Sequence, residues 1–335
     1  MTAEDTGSDQ TGAVAGPAAD AGRSGSCPPR SVVGPVVHGG LDDFWYARFV
    51  AHSECGDCPT LPEVSEWFSQ LLGALFEQHS LQHHAEASTF YELVERLQAD
   101  LANMVGSAGA GPAAGTASAA GRAPGRAVAK ELFAKLPAIR TALMEDADAT
   151  VNGDPAASDL DEVIRAYPGF VATAAYRIAH ELHGLGAALL ARILSAAAHR
   201  LTGIDVHPAA VIGRRFCIDH GTGVVIGETS VLGDDVKLYQ GVTLGGVSVS
   251  KADAAKKRHP TIEDRVVIYS GATILGGNTT VGHDSVIGGN VWLTQSVPPF
   301  SRLSYRVTAV GVEAAGSSVS TVVTGDSESD SEERQ

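Results

Sequence analysis

The sequence predicts an α+β chain, an N-terminal α-helical region followed by a parallel β-helix built from hexapeptide repeats, on three observations. Helical apolar periodicity runs through much of the first two hundred residues. After Thr202 that period gives way to aliphatic residues at six-residue steps, in the series Val206, Ile212, Ile218, Val224, Val236 and Val242, with Ser230 as its polar member. A second series follows at Ile262, Ile268, Ile274, Thr280, Val286 and Trp292. Six is neither a helix nor a hairpin period. It suits a triangular coil of short parallel strands in which every sixth residue points into the core of the next face.

Residues 1–40 are small, polar and punctuated by Pro and Gly, a composition that cannot bury enough apolar surface to offset ordering entropy, so disorder is expected. Residues 41–105 read as helical, with Trp67, Leu71, Leu72, Leu75 and Phe76 at three- and four-residue spacing. The Ala/Gly/Ser/Pro stretch 106–126 reads as a flexible linker. Helical periodicity resumes over 127–202, broken at Asn152-Gly153-Asp154-Pro155. Ser158 or Asp159 is the candidate N-cap after that break, and Gly184 and Gly186 mark a turn between two helices. The coil occupies 203–307. Val242 and Ile262 stand 20 positions apart, not a multiple of six, so Gly246 to Pro260 should loop out, carrying Lys251, Lys256, Lys257, Arg258 and His259. Residues 308–335 form an acidic, flexible tail.

With 335 residues, core size is no constraint, since domains usually run about 100 to 200 residues. Against 24 Lys and Arg stand 39 Asp and Glu, a net charge of -15 that argues against a nucleic-acid partner. Cys27, Cys55, Cys58 and Cys217 are too few for a disulfide framework and fit a reducing, cytoplasmic compartment. The first forty residues lack the apolar stretch of a secretory signal, and no apolar run reaches the roughly 18 residues a membrane span needs, so no membrane association is expected. Cys55 and Cys58 with His52 resemble half a zinc site; the second pair is missing, and no metal is expected.

The runs GIDVHPAAVIGRRFCIDHGTGVVIGETSVLGDDVKLYQGVTLGG and KRHPTIEDRVVIYSGATILGG resemble the serine acetyltransferase family of hexapeptide-repeat acyltransferases. The preceding GDPAASDLDEVIRAYPGFVATAAYRIAHELH resembles the helical segment that leads into that family's coil, so the likeness covers about Asp154 to Val307. It implies a left-handed coil, homotrimers or dimers of trimers with active sites between subunits, and acetyl-CoA as co-substrate. Handedness rests on the resemblance alone; periodicity gives only the coil.

The resemblance also carries the site. His220, in IDHGTG, matches the family's catalytic base, a role that suits an imidazole titrating near neutrality. Asp205, in GIDVHP, matches the carboxylate partner that fixes such a base and stabilises its imidazolium. Asp154 and Asp219 match contacts to the amino group and hydroxyl region of L-serine, and Arg258 and His259 match contacts to its carboxylate, where a guanidinium fork fits. Gly245, Gly246, Ser270 and Gly271 match the acetyl-CoA path, where small residues let pantetheine amides reach backbone, and Lys256 and Lys257 lie within reach of the CoA phosphates. Read singly, Asp154 is also a cap before Pro155, Asp205 a turn aspartate and Arg258 a solvated loop charge.

Members of the family that bind O-acetylserine sulfhydrylase commonly end in isoleucine; this chain ends Glu333-Arg334-Gln335, so that complex is not expected. L-Cysteine inhibition at the serine pocket is expected. A rival acyltransferase acting on a sugar or antibiotic hydroxyl would keep His220 without needing Asp154, Asp219, Arg258 and His259 together. A hydratase like γ-class carbonic anhydrase needs three histidines on adjacent coils, and His207, His220, His259 and His283 are unsuitably spaced. A noncatalytic scaffold has no use for the Asp205 and His220 pair.

Overall fold

A computed structural model describes residues 58–80, 87–108, 125–247 and 256–305. The expected disordered N-terminal segment, His52, Cys55, the acidic tail and most of the linker lie outside the described residues. Six α-helices precede fourteen short strands among the described residues. Helix α1 (Leu61–Leu75) starts on a capping box: Thr60 accepts from the Glu63 amide, and the Glu63 carboxylate accepts from the Thr60 amide. Its Val64, Trp67, Phe68, Leu71 and Leu72 form one buried stripe, while Leu75 is only partly buried. A single 3-10 turn (Glu77–His79) follows, then α2 (Ala87–Ala108) and α3 (Gly125–Gly153).

Asp159, rather than Ser158, caps α4 (Leu160–Ala166), accepting from the Glu162 amide. Tyr167 links it to α5 (Pro168–Gly184), and Gly186, with φ 83, turns the chain into α6 (Ala188–Thr202). Gly203, with φ 73, ends α6 and hands the chain to the coil.

The strands are β1 (Asp205–Val206), β2 (Val211–Ile212), β3 (Cys217–Asp219), β4 (Val225–Ile226), β5 (Val231–Leu232), β6 (Lys237–Tyr239), β7 (Thr243–Gly245), β8 (Thr261–Ile262), β9 (Val267–Ile268), β10 (Thr273–Leu275), β11 (Thr280–Val281), β12 (Val286–Ile287), β13 (Trp292–Leu293) and β14 (Arg302–Leu303). Every third strand stacks in parallel as far as β13, and β14 then stacks on β12, giving a first sheet β1-β4-β7-β10-β13, a second β2-β5-β8-β11 and a third β3-β6-β9-β12-β14. Each turn of the coil therefore crosses three faces and three corners.

Register explains where the six-residue comb works and where it fails. Val225 pairs with Thr243, an 18-residue coil of three hexapeptides, but Asp205 pairs with Val225, a coil of 20. The two extra residues lie in the corner that begins at His220. Beyond it the core strand residues are Ile226, Leu232, Leu238 and Leu244, while Val224, Ser230, Val236 and Val242 are buried two positions earlier. Thr243 pairs with Thr273, a coil of 30, so the loop between β7 and β8 adds 12 residues to the regular 18. Thr273 then pairs with Trp292, a coil of 19. The extra residue falls in the corner at Gly276, whose φ is 103, and slides the inward set by one. Val281, Ile287 and Leu293 fill the core, so the sequence reading of Thr280, Val286 and Trp292 as inward is corrected; Trp292 is 69% exposed.

Corners are held by a charge ladder. Arg215, Asp235, Arg265 and Asp284 occupy equivalent corner positions on successive coils, all with φ between 54 and 59. Arg215 forms an ion pair with Asp235, and Arg265 donates to Asp284 at 2.7 and 2.8 Å. At the helical end, Arg177 on α5 donates to Asp146 on α3 at 2.5 and 2.7 Å and to the Gly213 carbonyl at 3.0 Å. Asp146 also accepts from the Phe216 amide, so one buried ion pair ties two helices to the first coil.

Candidate active site

His220 sits where the third sheet turns into the first, directly after β3, in the left-handed conformation with φ 57. The two-residue insertion puts it outside the stack of corner residues Gly223, Gly241 and Gly271, whose backbones approach one another closely in successive coils. Its side chain is 72% exposed. The carboxylate facing it is Asp219, with Oδ1 at 3.8 Å from Nε2. Asp219 is buried and its Oδ2 meets Lys237 Nζ at 2.9 Å.

Asp154 joins this cluster from the connection between α3 and α4. Its Oδ1 accepts from the Ala156 amide at 2.9 Å and its Oδ2 from the Tyr167 hydroxyl at 2.7 Å. These two bonds, aided by the charges of Lys237 and His220, hold the Asp154 carboxyl below the usual range. The same bond, with burial adding to it, pushes the Tyr167 hydroxyl up to about 12. Asp154, Tyr167, Asp219, His220 and Lys237 thus form one constellation between the helical region and the third sheet.

Asp205 lies on β1 beside Val225 in the first sheet. Among the described residues it shares no hydrogen bond or ion pair with His220; its charge acts on His207. His207 is half-buried, and its Nδ1 accepts from the Ala209 amide. Burial first, then the Arg192 charge, pushes this imidazole down to about 4.

Arg258 and His259 occupy a different corner, between the first and second sheets. Thr229 organises them: its Oγ1 accepts from both the Arg258 and His259 amides, at 2.9 and 3.0 Å. The Thr229 amide donates to His259 Nδ1 at 3.1 Å, so the neutral ring carries its proton on Nε2. Burial, then the Arg258 charge, lowers His259. The ring lies against Gly227, where an added Cβ would come within 2.0 Å of His259 Cδ2. Arg258 pairs with Glu228, and Lys257 Nζ donates to the Thr229 carbonyl at 2.9 Å.

The residues matched to acetyl-CoA divide in the same way. Gly245 ends β7 and with Gly246 adjoins the corner of Arg258 and His259, whereas Ser270 and Gly271 precede β10 at the corner of His220. Within one chain the His220 and His259 corners are the two edges of the first sheet, roughly 15 to 20 Å apart at about 3.3 Å per residue. Residue-by-residue reading missed Tyr167, Thr229 and Lys237. Coil register would have found Lys237, which pairs across from Cys217, two positions from Asp219. Cys58 is exposed, with Sγ 4.0 Å from the Ser107 carbonyl, and the described residues contain no group of three or more potential metal ligands. Among them no helix is long and apolar enough to cross a membrane.

No family model matches the chain. Among curated relatives, the plasmid serine acetyltransferase of Synechococcus elongatus is 53% identical over 174 residues, 50% of this chain and 54% of that relative, so the match spans about half of its length. The serine acetyltransferase of Mycobacterium tuberculosis is 50% identical over 159 residues, 67% of its length. That of Helicobacter pylori is 48% identical over 161 residues, 88% of its length. Among solved structures, Entamoeba histolytica serine acetyltransferase 1 in complex with L-cysteine is 35% identical with a TM-score of 0.60, over 70% of this chain and 84% of that one. A helical region leading into a parallel coil, a histidine beside paired aspartates and these relatives agree: the chain belongs to the serine acetyltransferase family.

Proposed function

We propose that the chain transfers the acetyl group of acetyl-CoA to the hydroxyl of L-serine, making O-acetyl-L-serine and CoA, the first step from serine towards cysteine, in the cytoplasm. The observation that carries this reading is the imidazole of His220 held beside two carboxylates, one of them Asp154 with lone pairs to spare for an ammonium. Serine is a zwitterion. Its ammonium suits the Asp154 and Asp219 side, and its carboxylate suits the Arg258 fork and the Nε2–H of His259.

His220 takes the hydroxyl proton as the serine oxygen attacks the thioester carbon, and the imidazolium returns that proton to the departing CoA sulfur. Direct attack needs no acyl-enzyme. Burial pushes the nearby Cys217 thiol up to about 11, which leaves little thiolate to act as a nucleophile. Acetylated Cys217 found by mass spectrometry during turnover would reverse that conclusion.

The two half-sites stand on separate edges of one coil, which supports sites completed between neighbouring subunits of a trimer, itself single or paired into a hexamer. Ser270, Gly271, Gly245 and Gly246 then flank the acetyl-CoA path, with Lys256 and Lys257 near its phosphates and Asp205 as a further support of the base. L-Cysteine, the ligand of the Entamoeba relative, offers the same ammonium and carboxylate and is expected to compete with serine. A complex with O-acetylserine sulfhydrylase is not part of this reading.

The test follows CoA release with serine, homoserine or a galactoside as acceptor. His220→Ala should lose about 100-fold or more with serine. Equal rates on the galactoside would move the assignment to a sugar acyltransferase. Mixing His220→Ala with Arg258→Ala subunits should recover activity if sites are shared, and no recovery would place both halves within one chain.

A further inference from the structure

Lys237 is a cation with a complete set of partners. Its side chain is only 12% exposed, and Nζ lies 2.9 Å from Asp219 Oδ2 and 2.8 Å from the Gly153 carbonyl, the last residue of α3. The C-terminal end of a helix carries partial negative charge and welcomes an ammonium. Nζ also stands over the Tyr239 ring, 4.5 Å from its centroid. Although burial pulls the other way, bonding to Tyr239 and Asp219 holds this ammonium above the ordinary lysine range, so it stays charged at any working pH.

That placement divides the work of the two aspartates. Asp219 has one oxygen committed to Lys237, and the other, Oδ1, faces His220. Among the described residues, the hydrogen bonds that Asp154, next in sequence to Gly153, accepts come from neutral donors, an amide and a phenol. Its oxygens thus keep lone pairs that no cationic donor takes up, which suits this carboxylate to a substrate ammonium.

We propose that Lys237 is a positioning residue that commits Asp219 to His220 and leaves Asp154 as the anion that receives the substrate ammonium. This rests on the acetyl-transfer reading and adds to it a role for a residue outside the matched set. Lys237 acts through Asp219: by holding Oδ2 it fixes the carboxylate rotamer so that Oδ1 faces the ring. The titratable groups sharing this cluster are Asp154 and Tyr167 from the helical side and Cys217, Asp219, Lys237 and Tyr239 from the coil.

The test uses Lys237→Met and Lys237→Arg in the full chain, with Lys237→Gln as the variant that keeps donors if Met at this position does not fold. The rate of diethyl pyrocarbonate modification at His220, at one fixed pH and without substrates, is read by peptide mass spectrometry. Loss of the carboxylate's anchor should change that rate about threefold or more, and Lys237→Arg should restore it. In turnover, Lys237→Met should lower kcat about tenfold with serine KM within about threefold, while Asp154→Asn should raise KM tenfold or more. An unchanged modification rate in both Lys237→Met and Lys237→Gln, or a rise in KM with kcat intact, overturns the proposal. Wild-type protein that fails to acetylate serine sinks the acetyl-transfer reading instead, and the modification rate still decides whether Lys237 acts on His220.

Discussion

Arg177→Met should destabilise the protein more than any other single change at the junction between helices and coil. The guanidinium makes three bonds, at 2.5 and 2.7 Å to Asp146 and 3.0 Å to the Gly213 carbonyl. Methionine keeps the apolar stem and removes all three. There remains a carboxylate only 3% exposed, facing the Phe216 amide as its last donor at 2.9 Å. Stripping one partner from a buried pair costs about 3 to 5 kcal/mol, because the surviving charge stays desolvated. With a urea slope of about 1 to 3 kcal/mol/M, the midpoint should fall by roughly 1 to 5 M. Far-UV circular dichroism at fixed protein concentration reads it, which matters if subunits associate. The double variant Asp146→Asn/Arg177→Met removes the stranded charge while keeping an acceptor for Phe216, so it should recover about 2 kcal/mol relative to the sum of single changes. A loss below about 1 kcal/mol in Arg177→Met, or strict additivity in the double variant, would refute the claim that this pair locks the helices to the coil.

Three further outcomes are expected. His207 is pushed down to about 4 by burial, below its ordinary 6.5, so the unfolded chain binds a proton here that the folded chain refuses. Its contribution is whole above about pH 6.5 and is lost as pH falls towards 4; His207→Gln should flatten that part of a stability-against-pH curve. Gly169 on α5 presses on β3 so closely that an added Cβ would lie 2.1 Å from the Ile218 carbonyl oxygen, and Gly169→Ala should cost about 1 to 3 kcal/mol in urea melts. The slipped register predicts that Ile287→Ala costs about 2 to 5 kcal/mol, whereas Val286→Thr, on the outward face, stays within about 1 kcal/mol. Equal losses at the two positions would put the register back where the bare six-residue comb had it.

Much of the coil could be read from the chain because its core is built from one residue per hexapeptide, and a parallel stack repeats that demand on every turn. Val206, Ile212, Ile218, Ile262, Ile268 and Ile274 all fell on buried strand positions. The comb failed where a corner gained one residue at Gly276, since an insertion there leaves each strand intact and shifts only the strands after it. The two residues gained at His220 did not unseat it: Val224, Ser230, Val236 and Val242 are buried, two positions before the strand residues, and the extra residues carry the imidazole out of the corner stack. The linear motif named His220, Asp154 and Asp219, but not Tyr167, Thr229 or Lys237, which act by orienting others and sit on elements distant in sequence.

Local period and contiguous motifs were enough to set the order of helical region and coil, the loop before Arg258, and the family, because each of these is written in neighbouring residues. The folded coil was needed to show which aspartate faces His220, which cation balances it, and that Arg258 and His259 stand at another corner. The physical reason is coil length. Turns of 20, 18, 30 and 19 residues set which side chains become neighbours across turns, and no local preference along the chain encodes those sums.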